Sequence, residues 1–526
     1  MSAFQQLLDH SQKVSHFEHL SAIVGWDQAA VMPSGGAEAR SNAMAELSVH
    51  IHSLMTQPQL GDLFAKAEEE NLSVEQSAVL REMKRDWQQA NLLPESLVQA
   101  QSLAGSKCEH AWRTQRGNND WQGFEKNWAE VVTLSREEAQ IRAEAKGVSA
   151  YDAMLDIYEP GTTTASLDQL FSDVKTWLPS MIDQAIEKQA SGQIQLPNGH
   201  YPAEKQKALG LDVMKLLQFD FEHGRLDESV HPFCGGVPSD VRITTRYDEK
   251  EFVQSLMGIV HETGHARYEQ GLPKAFAGTS AGQARSMGIH ESQSLFFEMQ
   301  LGRSPAFVDH LAQLATNYFQ GNEFKADNLA KIYTRVEKGY IRVDADELTY
   351  PAHVILRYEI ERDLMNGVIK HTDVPELWNE KMKSYLGLST EGNYKNGCMQ
   401  DIHWTDGKRT VISPSQTTDK KEKRLKKHNY KDGCMQDIHW CDGSFGYFPS
   451  YTLGAMYAAQ FMASMKNTVD VDGAIQAGDL SPIFAWLSDN IWSKGSLLTT
   501  DELVTQATGE TLNPLHFQNH LRNRYL

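Results

Sequence analysis

The chain has 526 residues and a formal charge of −19 at pH 7. A chain of this length can bury a large core without disulfides or structural metal ions, and its negative charge argues against a nucleic-acid partner, which needs a basic face. Five cysteines, mostly far apart in the sequence, predict free thiols in a reducing compartment and therefore a cytoplasmic protein. No apolar run is long enough to span a bilayer, so no membrane segment is predicted.

Helical periodicity dominates the first half of the chain. Apolar residues three and four positions apart predict a first helix from Phe4 through Leu20 that ends before Pro33, and a second from about Ala37 through Leu47. The same spacing predicts helices within residues 79–90, 121–145 and 167–188. Gly, Pro and Asn residues predict a loop at 193–201.

The chain shows no break in composition sharp enough to divide it. We therefore predict one domain over residues 1–526, with a helical half at 1–230 and a half that carries the functional motifs at 231–526. An irregular stretch is predicted from residue 231 up to a strand at 240–247, where β-branched and polar residues alternate.

The helix after this strand carries the motif on which the functional prediction depends. Asp248 and Glu251 form a capping-box pattern, which predicts a helix from about residue 249 to the stop signals at 271 and 273. Inside it, His261 and His265 lie one turn apart on one face, where both imidazoles can bind a single zinc ion. Glu262 lies beside them and is the predicted general base.

A catalytic zinc ion takes three protein ligands and keeps one position open. A loop at residues 278–288 is followed by a second helix, whose apolar residues at 295, 296 and 299 face a core. Glu291, near the start of that helix, is the predicted third ligand, and His290 and Glu298 are competing candidates. The alternative is that Glu291 only stabilises the helix start.

Six motifs follow one another along the second half of the chain. They are His231-Pro232-Phe233, Asp240-x-Arg242-x-Thr244, His261-Glu262-Thr263-Gly264-His265, His290-Glu291-Ser292-Gln293-Ser294, Ile341-Arg342-x-x-Ala345-Asp346 and Gly-x-x-Gln-Asp-x-His-Trp. In this order they resemble the carboxypeptidase Taq family of zinc metallocarboxypeptidases. The likeness covers nearly the whole chain and reaches Trp26-Asp27-Gln28 near its start.

The resemblance implies a mainly α, neurolysin-like helical peptidase fold with a deep central groove, and we expect a small edge sheet near the zinc helix. It implies a homodimer that releases C-terminal amino acids from peptides with broad specificity. It also implies that Glu291 completes the site for one zinc ion per chain, which other divalent metals such as Co²⁺ can replace.

The groups that bind and activate the substrate lie in the later motifs. The oxyanion that develops during hydrolysis needs a donor besides zinc, and His439, Tyr447 and Tyr451 are predicted to supply it, although the tyrosines also fit as core aromatics. Arg342 and Arg242 are the candidates that bind the terminal carboxylate of the substrate. The alternative for each arginine is an ion pair with neighbouring acids.

One segment departs from the family pattern, because residues 394–407 return almost unchanged as residues 430–443. The basic segment 408–429 between the copies is poor in large apolar residues and is predicted to be a flexible excursion. Only one copy can fill the slot beside the zinc ion. His439 of the second copy is joined directly to the tyrosines and is preferred over His403. The alternative function is a zinc-binding but catalytically impaired peptide-binding protein, in which the duplication displaces the oxyanion donors.

Overall fold

A computed structural model describes residues 1–229, 232–389 and 439–526. The predicted flexible excursion at 408–429, the first copy of the duplicated motif with His403, and residues 430–438 of the second copy lie outside these ranges, as does His231. The described residues contain twenty-one α-helices and three short strands, together with short 3-10 and π-helical turns. The predicted mainly α class is therefore confirmed. None of the described helices is both long enough and apolar enough to cross a membrane.

Nine helices precede the sheet. They are α1 (Ala3–Ala30), α2 (Ala37–Met55), α3 (Gln59–Glu68), α4 (Val74–Leu92), α5 (Glu95–Gly117), α6 (Trp121–Lys146), α7 (Ala150–Tyr158), α8 (Thr164–Gln189) and α9 (Ala203–Leu216). The helices predicted in this half are confirmed, each somewhat longer than its predicted segment. The predicted loop at 193–201 falls between α8 and α9.

The sheet and the remaining helices follow. They are β1 (Gly224–Glu228), β2 (Cys234–Val237), β3 (Asp240–Thr245), α10 (Val253–Gly271), α11 (Met287–Leu295), α12 (Pro305–Tyr318), α13 (Ala326–Tyr333), α14 (Tyr350–Met365), α15 (Val374–Leu386), α16 (His439–Asp442), α17 (Pro449–Met465), α18 (Val471–Ala477), α19 (Ser481–Asn490), α20 (Thr500–Thr508) and α21 (Pro514–Tyr525). A π-helical turn, Phe296–Gly302, continues α11.

The sheet lies against the motif helix, as expected. Strand β3 is central, with β1 parallel to it on one side and β2 antiparallel on the other. Val241 and Ile243 of β3 are buried in one apolar cluster with Ile259 and Ala266 of α10. The prediction of an irregular stretch from 231 to the strand was wrong, because β2 lies within it. Gly235 and Gly236 give β2 little intrinsic strand preference, and pairing with β3 defines it.

Helix α10 begins four residues later than predicted, at Val253. The carboxylate of Asp248 accepts a hydrogen bond from the backbone N–H of Lys250 and is therefore occupied within the turn before the helix. Glu251 caps the helix instead, since its carboxylate accepts hydrogen bonds from the N–H groups of Val253 and Gln254. The predicted stop at Gly271 is confirmed.

Helix α11 packs against both α10 and α17. Its side chains from residue 291 to 295 are all buried. Contact of α11 with both helices brings three parts of the predicted site together. The π-helical turn that follows widens the backbone where Glu298 projects, and such turns are common at functional sites.

Candidate active site

A cleft of ≈ 820 Å³ opens along α10 and α11. Its walls come from α10, α11, the ends of β2 and β3, the segment around residue 342 and the start of α17. The predicted site residues that line it are His261, Glu262, His265, Glu291, Arg342, Tyr447 and Tyr451. Residues separated by up to 190 positions in the sequence thus share one surface.

Two histidines and one glutamate in this cleft form a group suited to a metal ion. One ligand atom from each of His261, His265 and Glu291 lies within 4.8 Å of the others. Nε2 of His265 is 3.5 Å from the Glu291 carboxylate. Two imidazoles and one carboxylate are the donor set of many catalytic zinc sites.

The competing ligand candidates, Glu298 and His290, each contact the Nδ1 atom of one of the two imidazoles. The Glu298 carboxylate lies 2.8 Å from Nδ1 of His261 and also accepts from the guanidinium of Arg303 at 2.5 Å. Nδ1 of His290 lies 2.6 Å from Nδ1 of His265, and its Nε2 lies 2.7 Å from Glu269. Such partners fix the orientation of metal-binding imidazoles.

The electrostatics of the group favour a cation. Burial lowers the pKa of His261, but the carboxylates of Glu298, Glu291 and Glu262 outweigh it and raise this pKa to about 10. Burial raises the pKa of Glu291. Burial and the nearby His290 hold the pKa of His265 well below its usual range, so this ring is neutral, as a ligand must be.

Glu262 is positioned to exchange protons with a substrate. It is 7% exposed, lines the cleft, and its Oε2 atom has no hydrogen-bond partner among the described residues. Burial raises its pKa to about 7, and repulsion from Glu291 adds to the rise. A buried carboxyl group with such a pKa suits a general base that later acts as an acid.

The two arginine candidates have different surroundings. Arg342 is buried and lines the cleft, its Nη1 donates to the hydroxyl of Tyr350 at 2.7 Å, and its guanidinium lies 4.9 Å from the ring of Tyr451. Arg242 donates through two nitrogens to Asp240, at 2.9 and 2.7 Å, and is not among the described residues that line the cleft. The ion pair considered for Arg242 is therefore present. Arg342 is better placed than Arg242 to bind a substrate carboxylate in the cleft.

The oxyanion-donor candidates form one aromatic group. Nε2 of His439 lies 3.4 Å from the hydroxyl of Tyr451, and its ring stacks on Tyr447 at 5.5 Å. The rings of Tyr447 and Tyr451 are 5.2 Å apart, and both line the cleft. His439 is not among the described lining residues and contacts the cleft through the tyrosines.

Several residues of the cleft wall were not singled out from the sequence. They are Cys234, Arg246, Tyr350 and Val343. Cys234 belongs to the four-residue strand that the sequence did not reveal. Arg246 lies just beyond β3 and Tyr350 at the first position of α14. Their proximity to the metal-ligand group, which consists of His261, His265 and Glu291, therefore depends on tertiary packing.

Glu159 is a further buried carboxylate beside the site. It is fully buried and accepts hydrogen bonds from Ser450 Oγ, at 2.8 Å, and from the backbone N–H of Gly288. Gly288 lies in the first turn of α11, where a negative charge is favourable. Glu159 therefore joins the start of α11 to the start of α17.

Replacing Glu159 with glutamine is expected to change the pH dependence of stability. Burial raises the pKa of Glu159 from 4.5 to about 7, so folding takes up a proton between these values and the wild type loses stability as the pH rises through this window. The difference corresponds to about 3 kcal/mol. Urea unfolding should show that, between pH 4.5 and pH 8, the free energy of unfolding of the variant rises by about this much relative to that of the wild type. A difference independent of pH would contradict the assignment.

Gly454 of α17 controls how closely that helix approaches Glu291. A Cβ atom at position 454 would lie 2.8 Å from Cβ and Cγ of Glu291. Gly454→Ala should displace Glu291 and weaken the binding of a divalent metal ion by about tenfold or more, measured by competition with a chelator. Gly25→Ala is the matched control, because nothing lies within 4 Å of a Cβ there. Equal metal affinities in the two variants would count against Glu291 as a ligand.

Comparisons with known proteins identify the family. The profile described as "Carboxypeptidase Taq (M32) metallopeptidase" matches residues 6–409 and 420–525. The chain belongs to this family. Carboxypeptidase 1 of Bacillus subtilis is 32% identical over 99% of this chain and 97% of its own length. Thermostable carboxypeptidase 1 of Thermus thermophilus is 33% identical over 100% of this chain and 98% of its own.

The fold agrees with the family assignment. The solved structure titled "Trypanosoma Cruzi Metallocarboxypeptidase 1" has a TM-score of 0.91 and 45% identity, and the alignment covers 99% of each chain. The protein is thus a carboxypeptidase of the metallopeptidase class, which works with a divalent metal ion. The His261, His265 and Glu291 group fits such an ion in its donor chemistry and its spacing.

Proposed function

We propose that this carboxypeptidase is zinc-dependent and removes C-terminal residues from peptides with broad specificity. The observation that carries the proposal is the grouping of His261, His265 and Glu291 within 4.8 Å, beside the buried carboxylate of Glu262, in one cleft. Two imidazoles and a carboxylate would hold the zinc ion. When bound, zinc polarises the scissile carbonyl and the attacking water.

Different residues of the chain transfer the proton, bind the substrate carboxylate and stabilise the oxyanion. Glu262 takes a proton from the attacking water and then passes it to the leaving amine. Its Oε2 atom has no hydrogen-bond partner among the described residues and is available for this transfer. The guanidinium of Arg342 binds the terminal carboxylate of the peptide. Tyr350 and the ring of Tyr451 hold this guanidinium in place. Tyr447, Tyr451 and His439 supply donors for the developing oxyanion.

The position of this arginine supports exopeptidase rather than internal cleavage. Arg342 is 6% exposed and lies in the wall of the same cleft as the metal-ligand group. A buried guanidinium binds a ligand that carries a carboxylate more tightly than an uncharged chain.

Metal removal tests the proposal. Dialysis against a chelator should abolish peptide hydrolysis, and one equivalent of zinc per chain should restore it, with Co²⁺ as a substitute. The folded protein should remain, as monitored by circular dichroism, because the core does not depend on the metal. Full activity in the metal-free protein would refute the zinc-dependent function.

The homodimer expected from the resemblance is also part of the proposal. Helix α2 buries only Leu54 and leaves Val49 63% exposed, so much of this helix is available to a second copy. Sedimentation equilibrium should give twice the chain mass, and Val49→Glu should lower the dimer affinity. A monomer at micromolar concentration would refute this part.

The choice between the two copies of the duplicated motif leads to a prediction. His439→Ala should lower kcat by about 10²-fold, the cost of one oxyanion donor, whereas His403→Ala, in the copy outside the described residues, should leave kcat unchanged. Steady-state kinetics on one dipeptide substrate compares them. Loss of activity only in His403→Ala would show that the first copy supplies the donor.

A further inference from the structure

Glu361 is a buried carboxylate that the proposed chemistry does not use. It lies on α14 and is fully buried. Its Oε1 atom accepts a hydrogen bond from the indole N–H of Trp440 at 2.7 Å. Its Oε2 atom accepts from the backbone N–H of Gly446 at 3.1 Å and from the hydroxyl of Tyr151 at 3.0 Å.

The indole held by Glu361 lies in a socket of tryptophans. Trp440 is 1% exposed and stacks on Trp128, with ring centres 5.7 Å apart and planes 20° apart. The indole N–H of Trp128 donates to the carbonyl of Trp440 at 2.8 Å. Trp378 meets the same ring edge-on at 5.6 Å. The indole N–H groups of Trp440 and Trp128 are therefore both hydrogen-bonded within this apolar socket.

Glu361 holds the chain at two points, and the oxyanion-donor candidates adjoin both. His439 directly precedes Trp440, and Tyr447 directly follows Gly446. One carboxylate thus fixes both ends of the short segment from which these side chains project. A buried acceptor that satisfies three donors is costly to remove, because each donor then loses its hydrogen bond to the carboxylate.

Gly446 makes this anchoring selective for one copy. Its φ is +97°, and a Cβ atom there would lie 2.9 Å from the backbone carbon and oxygen of Met154. A β-branched residue at such a φ is strongly disfavoured. Six positions after Trp440 comes Gly446, but six positions after Trp404 of the first copy comes Thr410.

We propose that Glu361 is a positioning residue that anchors Trp440 and Gly446 together, and that this pair of contacts selects the second copy of the duplicated motif for the site. The selection depends on the residues that follow each copy, since the copies themselves are nearly identical. The effect on catalysis rests on the proposed function, whereas the anchoring itself does not.

Alkylation of Cys441 tests the anchoring without any assay of activity. Cys441 is fully buried next to Trp440. Glu361→Gln keeps one acceptor oxygen but points an N–H group at one of the donors, so the segment should open more often. Iodoacetamide labelling followed by peptide mass mapping should show Cys441 reacting about tenfold faster or more. In parallel, kcat should fall by about 10- to 100-fold, with a smaller change in KM.

Glu359→Gln is the matched control. Glu359 lies on the same helix and is almost as buried, but it binds Lys175, Lys381 and Tyr385 on another side. This variant should label Cys441 at the wild-type rate. Wild-type labelling in Glu361→Gln, or equal acceleration in both variants, would overturn the inference.

Two further variants complete the test. Trp440→Phe keeps the aromatic ring but removes the indole donor, and it should accelerate labelling as Glu361→Gln does. Gly446→Thr introduces the residue type that stands at the corresponding position after the first copy, Thr410, and should have the same effect. Unchanged labelling in Gly446→Thr would overturn the selection of the second copy. Faster labelling with unchanged kcat would support the anchoring and refute His439 and Tyr447 as oxyanion donors.

Discussion

Glu262→Gln is expected to lower kcat for peptide hydrolysis by about 10³-fold, within the usual contribution of a general base. The amide has the size of the carboxylate but cannot take a proton from water. Glu262 is 7% exposed and lies among the metal-ligand residues, so no solvent group replaces it readily. Single-turnover kinetics on the zinc-loaded protein would measure the loss.

The control for Glu262 is an acidic residue of the same cleft. Asp248 lines the cleft, and its carboxylate accepts from the N–H of Lys250 within a turn. Asp248→Asn removes the same charge and should change kcat by no more than about threefold, as a surface charge does. Zinc content should equal that of the wild type in both variants. A Glu262→Gln protein that carries zinc and retains wild-type kcat would contradict the proton-transfer role.

Arg342→Lys is expected to lower kcat/KM by about 10²-fold for peptides with a free terminal carboxylate, since truncating a buried charged partner costs several kcal/mol. Lysine keeps the charge but loses the planar fork that binds a carboxylate through two hydrogen bonds. It also loses the stacking against Tyr451 and the hydrogen bond to Tyr350. The ratio of kcat/KM for a peptide acid to that for its C-terminal amide isolates the effect.

For this comparison, the wild type should strongly prefer the acid, and Arg342→Lys should lose most of that preference. Arg242→Lys is the matched control, because its guanidinium is paired with Asp240 and lies 4.8 Å from the ring of Trp26. It should keep the preference for the acid. An unchanged acid-to-amide ratio in Arg342→Lys would assign the terminal carboxylate to another group, with Arg242 as the first alternative.

The metal-ligand group was the most predictable part of the site. His261 and His265 are related by one helical turn, so local geometry alone places them on one face. Glu291 required a second helix, and only packing decides between it, His290 and Glu298. The sequence predicted Glu291 and kept His290 and Glu298 as competitors. In the structure one Glu291 oxygen lies within 4.8 Å of a nitrogen of each imidazole, whereas Glu298 and His290 contact the Nδ1 atoms of His261 and His265.

Tertiary packing explains what sequence reasoning missed. Strand β2 has little strand preference of its own, and α10 begins where Glu251 rather than Asp248 can cap it. Buried carboxylates such as Glu159 and Glu361 look like ordinary helix-surface acids in the sequence. Their partners are up to about 290 positions away, so no local pattern marks them.

The measurement that tests the central claim most directly is a time course of peptide digestion followed by mass spectrometry. The pure zinc-loaded protein would be incubated with one unstructured peptide as the free acid and, separately, as the C-terminal amide. The account predicts stepwise loss of single residues from the C-terminus of the acid and far slower loss from the amide. Internal fragments, or loss from the N-terminus, would contradict it.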